Sequence, residues 1–363
     1  MRLQRPAPLL TRPRVSVVVP CYNYGTFLPS AVASALDQQG VDVDVLIVDD
    51  ASTDDSAAVA HRLAAADDRV DVLVHETNRG HIATYNDGLS KVSGDYVVLL
   101  SADDMLVPDS LTRAAALLDA HPRIGLVYGH APAFGDTIPE LDTRPRSWSV
   151  WEPGEWLPPR VRRARNPVYT PSAVMRAAAY AEAGGYDDRV PHAADMLLWY
   201  RTAATWGVGR VNNRAQALYR VHGSNMHLTQ YAGMLRDLTE QREVVRILFD
   251  ETPGGADLPP DLRTAAHRAM IRRARRLALA ERRDGTDPAA AAALDAFADE
   301  TETSTGGGLR LSGLADTVLE HRAAALPRRV ETHVRWRRWR RYGVRPSRAP
   351  SAPGCARASC GAP

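Results

Sequence analysis

Cysteine is scarce in this chain: there are three in 363 residues, none at a spacing that would frame a disulfide scaffold or a zinc centre. Cys21 stands alone in an apolar N-terminal segment, and Cys355 and Cys360 lie in a tail of Pro, Ala and Gly, so a reducing, cytoplasmic setting is expected. Long apolar runs are missing as well. Arg2, Arg5, Arg12 and Arg14 precede an apolar run of only Val15 to Val19, too short for a signal-peptide core or a membrane span. A soluble or peripheral protein is expected. Neither sign of charge dominates, since 45 basic and 43 acidic side chains leave a formal charge of +2. With 45% hydrophobic and 24% charged residues the composition is that of a globular protein, which excludes collagen and wholesale disorder. Lysine is reduced to Lys91, a skew towards arginine that reflects codon composition. Two phosphate-binding signatures are absent too. No Gly-x-Gly-x-x-Gly follows the first apolar run, where Pro20 stands instead, and no glycine-rich loop ends in Gly-Lys-Ser or Gly-Lys-Thr.

What is present is an alternation of apolar runs and helical patterns. Val15 to Val19 predicts a buried strand closed by Pro20, and Leu28 to Gln39 predicts a helix. Val43 to Val48 predicts a strand ending in Asp49-Asp50, and Thr53-Asp54-Asp55 the cap of a helix through Ala66. Val70 to Val74 and Tyr96 to Leu100 predict further strands, the second running into Ser101-Ala102-Asp103-Asp104, with a helix over Ile82 to Leu89 between them. A helix over Pro108 to Ala120 and a strand over Ile124 to Tyr128 follow. Continuous apolar strands separated by amphipathic helices imply an α/β fold whose mostly parallel sheet is covered on both faces. Ligands then bind at the carboxyl ends of the strands.

From Ala131 to Arg165 the prolines, arginines and Trp148, Trp151 and Trp156 predict a long, partly irregular excursion over the surface. Its tryptophans fit either an acceptor cleft or a core. Asp195 to Ala204 returns to helix and Leu218 to His222 to an extended segment. Residues 1–230 are read as the α/β domain, 231–327 as a helical appendage and 328–363 as a basic, disordered tail. Nine arginines with Trp336 and Trp339 fall between Arg328 and Arg348, a pattern suited to peripheral contact with the inner face of an anionic membrane, with nucleic acid the less favoured partner.

The strand ends carry the chemistry. Pro20-Cys21-Tyr22-Asn23-Tyr24, Asp49-Asp50 and Asp103-Asp104 place an aromatic face, hydrogen-bonding carboxylates and an acid pair at one edge of one sheet. An aromatic ring can stack on a base, and a carboxylate can accept from a ring N–H or a ribose hydroxyl. The acid pair offers hard oxygens that suit Mg²⁺ or Mn²⁺ against a diphosphate. Each also has a plainer reading: Asp49 and Asp50 as turn residues, Asp103 or Asp104 as a cap for the next helix, Asp195 as a charge at a helix N-terminus.

The segment Ser16-Val17-Val18-Val19-Pro20-Cys21-Tyr22-Asn23-Tyr24, followed by Ile47-Val48-Asp49-Asp50-Ala51-Ser52-Thr53-Asp54-Asp55-Ser56, resembles the N-terminal block of the family 2 glycosyltransferases, which have the GT-A fold. The resemblance runs on through Asn78-Arg79-Gly80, Asn86, Gly94-Asp95-Tyr96-Val97, Ser101 to Asp104, Gly184-Gly185-Tyr186-Asp187, Asp195 to Arg201 and Tyr219-Arg220-Val221-His222. It covers about residues 13–230; residues 231–363 carry none of it. It implies a nucleotide-diphosphate sugar donor, UDP-linked, held by Pro20, Tyr22, Asn23 and Asp49, with Asn78, Arg79, Ser101, Ala102, Asp103 and Arg220 completing that site. It implies that Asp103, the last acid of the D-x-D motif, and His222 bind Mn²⁺ or Mg²⁺. Asp195 aligns with the catalytic base of an inverting transfer to a saccharide, lipid-linked or small-molecule acceptor. Two positions depart from the pattern: Ser101 replaces the first acid of D-x-D and Ala194 the Glu before the base. Those departures keep open a scaffold that binds nucleotide-sugar without turnover. Nucleotidyl transfer is disfavoured, because Pro20 to Gly25 holds no basic residue for a triphosphate.

Overall fold

The computed structural model describes residues 1–304, apart from 92, 136, 142–146, 224, 226–233 and 285–286. The first strands are β1 (Arg2–Gln4), β2 (Arg14–Cys21), β3 (Asp42–Asp49), β4 (Val70–Val74) and β5 (Tyr96–Leu99). Then come β6 (Met105–Leu106), β7 (Ile124–His130), β8 (Ala133–Phe134), β9 (Ser147–Trp151), β10 (Val174–Arg176), β11 (Gly207–Ala215) and β12 (Ala217–Arg220). Nine of them make one sheet in the order β1-β9-β11-β7-β10-β5-β2-β3-β4, and β6, β12 and β8 make a small second one. In the large sheet β9 and β10 run against the other strands.

β2 shows why the chain folds this way. Val15, Val17 and Val19 face one layer, with Leu28, Ala31, Val32 and Ala35 of α1 (Leu28–Leu36), whereas Val18 faces the other with Ile82 and Leu89 of α3 (His81–Lys91). All four valines are wholly buried, so both faces must be apolar, as a central parallel strand requires. Gly88 lets α3 sit directly on the sheet: a Cβ there would lie 2.4 Å from Val18 Cγ1 and 2.9 Å from Val48 Cγ2. Pro20 is tolerated because β5 pairs only with Val15 to Val18, leaving that side of Pro20 free of a ladder bond. The remaining helices are α2 (Ser56–Ala66), α4 (Ser110–Ala120), α5 (Pro158–Val161), α6 (Ala177–Ala183) and α7 (Ala194–Thr205), then α8 (Met234–Asp250), α9 (Asp261–Asp284) and α10 (Pro288–Ser304).

The excursion expected over the surface from 131 to 165 is corrected. Ser147–Trp151 is a strand of the main sheet between β1 and β11, and Trp148, Trp151 and Trp156 are buried at 2%, 7% and 0% exposure. Their apolar area outweighs the turn-forming residues around them. The C-terminal helices share a buried cluster with α7, through Leu238, Val245, Leu262 and Phe297. No helix among the described residues is long and apolar enough to cross a membrane. The basic tail lies outside the described residues.

Candidate donor and base site

Two loops at the carboxyl ends of β2 and β3 are tied together. Asn23 and Ala51 both adopt the left-handed region, at φ 59° and 56°, which turns each loop sharply away from its strand. Asn23 Oδ1 accepts from the Thr53 and Asp54 amides at 2.8 and 3.3 Å, and its own amide donates to Ser52 Oγ at 2.9 Å. Its carboxamide oxygen therefore serves the protein, while Tyr22, 41% exposed, presents its ring at the lip. Asp49 is 1% exposed; Oδ2 accepts from the Ser52 amide at 3.0 Å, and Oδ1 has no hydrogen-bond partner among the described residues. A buried carboxylate oxygen left unpaired is costly.

Asp50 was read only as Asp49's neighbour, yet it organises the loop after β4. Its Oδ1 meets His75 Nδ1 and the Arg79 amide, both at 2.8 Å, its Oδ2 accepts from the Gly80 amide at 2.9 Å, and its carbonyl accepts from Asn78 Nδ2 at 3.2 Å. Gly80, at φ 80°, makes the turn. Arg79 pairs with Asp87, which also lies 3.2 Å from His75 Nε2. Asn78 and Arg79 thus shape the loop with their side chains; the doubled acid after β3 was the signal available for Asp50.

The acid turn after β5 meets β12. Asp103 and Asp104 are 6% and 2% exposed. Neither caps α4, whose N-cap is Asp109. The Arg220 amide donates to Asp104 Oδ1 and its Nε to the Asp103 carbonyl, both at 2.8 Å, with the guanidinium over the rings of Phe27 and Phe134. His222 Nε2 lies 3.0 Å from Asp103 Oδ2, and Asn225 Nδ2 donates to the same oxygen at 3.2 Å. Asn225, which the sequence reading missed, also accepts from the His222 backbone amide at 2.6 Å and lies 3.4 Å from the imidazole through its Nδ2. Nothing in its sequence neighbourhood signals this. Burial, and then the adjacent Asp103 charge, push the Asp104 carboxyl well above the usual range. Ala102 is buried and Ser101 half-buried; the Ser101 carbonyl accepts from the Asp104 amide at 3.0 Å.

The donor set fits a divalent cation: a carboxylate oxygen and an imidazole nitrogen lie 3.0 Å apart, close enough to share one ion, the carboxylate suiting Mn²⁺ or Mg²⁺ and the imidazole favouring Mn²⁺. Among the described residues no group of three His, Cys, Asp or Glu could hold a metal ion, so further ligands would come from phosphate oxygens and water.

Asp195 stands in the first turn of α7. Its Oδ1 accepts from the Met196 amide at 2.6 Å and its Oδ2 from Asn166 Nδ2 at 2.8 Å, and Thr170 adds a hydroxyl. Burial pushes its carboxyl up to about 6 against those hydrogen bonds. The next ring, Tyr169, packs on Tyr219 of β12 at 5.8 Å, so one short turn links the Asp195 carboxylate to the strand that holds Asp103 and Asp104. Arg201 is engaged elsewhere, with Asp187 at 2.8 Å.

Residues 16–182 match the profile of glycosyl transferase family 2. The putative glycosyltransferase EpsE of Bacillus subtilis is 31% identical over 212 residues, 58% of this chain and 73% of that protein. An uncharacterized glycosyltransferase of Haemophilus influenzae is 33% identical over 104 residues, and the chain spans only 42% of its length. Among solved structures, the mannosyltransferase PcManGT from Pyrobaculum calidifontis, in complex with GDP-Man and Mn²⁺, superposes with a TM-score of 0.53 at 20% identity over 94% of this chain and 87% of that one. S. aureus TarS 1-349 in complex with UDP-GlcNAc gives 0.55 at 15% identity, over 81% and 92%. With the sheet of the GT-A transferases, an ordered run of family motifs at its strand ends and a relative matched over most of its length, the chain belongs to glycosyltransferase family 2.

Proposed function

We propose that the chain transfers a sugar from a UDP-sugar to an acceptor hydroxyl, with inversion and with a divalent cation. The observation that carries this reading is the convergence of Asp103 Oδ2 and His222 Nε2, 3.0 Å apart, at the same sheet edge as the unpartnered Asp49 Oδ1. Asp49 Oδ1 accepts the ring N–H of the base, and the exposed Tyr22 ring offers it a stacking face. Asp103 and His222 hold the cation, which when bound neutralises charge on the leaving diphosphate without a proton transfer. Arg220, fixed between Phe27 and Phe134, adds fixed positive charge beside them. Asp195 takes the proton from the acceptor hydroxyl, and its carboxyl at about 6 keeps it ionised at neutral pH while leaving it more basic than an ordinary carboxylate. One base and no protein nucleophile gives inversion. The UDP-GlcNAc and GDP-Man complexes of the two structural neighbours support a nucleotide-sugar donor, and the Mn²⁺ of the second supports the cation.

The test is titration calorimetry of UDP into the full chain with Mn²⁺, alongside a hydrolysis screen of nucleotide-sugars. Asp103→Ala should lose metal-dependent binding altogether. Unchanged affinity in that variant removes the cation assignment, and a preference for a guanine nucleotide removes the uridine.

A further inference from the structure

We propose that Glu240, on the C-terminal helix α8, is a positioning residue for the transfer: it caps α7 from outside and fixes the turn that presents Asp195. This rests on the reading of Asp195 as the base.

α7 has no cap of its own. Its N-cap is Ala193, with no side-chain hydrogen bond, and Ala194 follows. The amides at a helix start need acceptors, and Ser, Thr, Asp or Asn usually provides one. Here Glu240, 8% exposed, reaches across from another helix: its Oε2 accepts from the His192 amide at 2.6 Å and shares the Ala193 amide, at 3.0 Å, with the Val190 carbonyl at 2.9 Å. Its Oε1 accepts from Arg236 Nε at 2.9 Å, so both oxygens are committed. A carboxylate here also meets the positive end of the α7 dipole.

The clamp is braced behind and opposed in front. Asp237 Oδ1 lies 3.5 Å from His192 Nε2, while its Oδ2 accepts from Arg273 Nη2 of α9 at 2.9 Å. Gln241 bridges the same pair, at 3.0 Å to Asp237 and 3.2 Å to Arg273. On the other side His81 Nε2 meets the Pro191 carbonyl at 3.0 Å, and His81 directly follows Gly80, whose amide Asp50 holds. The turn before Asp195 is therefore gripped by the donor-side loop and by the appended helices together. A carboxylate two residues beyond the second clamped amide moves with that turn, and a displacement of about 1 Å at a reacting group can cost about a hundredfold in rate.

The experiment uses the full chain with Glu240→Ala and Glu240→Gln. Carboxyl carbon NMR follows the titration of Asp195, assigned by the signal lost in Asp195→Asn, and amide exchange is read at His192 and Ala193. In Glu240→Ala the His192 amide should exchange at least about tenfold faster, the Ala193 amide, which also donates to the Val190 carbonyl at 2.9 Å, less so, and the Asp195 midpoint should fall from about 6 towards the ordinary carboxylate range as more water reaches the half-buried carboxyl. Glu240→Gln keeps one carbonyl acceptor and should move both readouts less. An Asp195 midpoint unmoved in Glu240→Ala overturns the proposal, whatever happens to exchange or melting temperature, because a purely structural glutamate would leave that titration alone. The two failures separate: donor hydrolysis surviving Asp195→Asn sinks the base, whereas a fixed midpoint sinks only the clamp.

Discussion

The proposed donor side and the proposed base side of this molecule are built by different means. On the donor side, β2, β3 and β5 are parallel neighbours; the loops after β2 and β3 are closed by bonds within and between them, such as Asp49 to Ser52 and Asn23 to Thr53, while the turn after β5 is held by Arg220 and His222. On the base side, Asp195 is held by Asn166, and the turn before it by Glu240, from separate parts of the chain. The part of the pocket made by the β2 and β3 loops is local and its motifs can be compact. A base on a helix start depends on whatever packs around it, so its neighbours vary more freely in sequence.

Five measurements can break or sharpen that contrast. The largest effect is expected from Asp195→Asn, which should cut turnover about 10²- to 10⁴-fold while leaving donor binding intact; weakened UDP affinity would mean that the two sides are not separable. In the unaltered enzyme, turnover should drop about tenfold per pH unit below about 6, because the base must be deprotonated. Next, Trp156→Ala should cost about 3–5 kcal/mol in chemical denaturation, since the ring is wholly buried, donates to the Tyr128 hydroxyl and lies under Arg160. A small loss would return it to an acceptor cleft. Asp50→Asn should cost about 1–3 kcal/mol by leaving buried donors facing an amide, and should raise the donor KM more than it lowers kcat. The smallest effect is on stability in Asp195→Asn. A carboxyl raised in the folded state stabilises the fold when protonated and loses that contribution as pH rises through about 6. The variant should therefore melt a few degrees higher than the unaltered chain at about pH 7.5 and show no gain at about pH 3, below the ordinary carboxyl value of 3.8.

The same contrast governs how much could be read beforehand. β2 to β5, α1 to α4 and α7 were legible because apolar runs and helical spacing coincide with real faces of the sheet. β11, with the sequence Gly-Val-Gly-Arg-Val-Asn-Asn-Arg-Ala, was not, because its polar residues are accommodated by tertiary partners: the half-buried Asn212 donates to Ser147 and Ser149 across the β9 ladder, and Arg214 is 3% exposed. β10 is three residues long, too short for any period to register. Within the site, the residues of the early motifs do sit at strand ends, but Asn225, Asp50 and Glu240 act through hydrogen bonds that composition and spacing do not encode.

β10 has a further consequence for how the chain is made. It lies antiparallel between β5 and β7, and it is synthesised after both. β11, the other neighbour of β7, is later still. Until residue 176 leaves the ribosome, β5 shows one open edge and β7 has no neighbour at all, a state that invites pairing with foreign strands. A nascent or truncated chain ending after Trp151 would thus carry the nucleotide loops on an adhesive half-sheet, and three residues, Val174 to Arg176, decide when it stops being one.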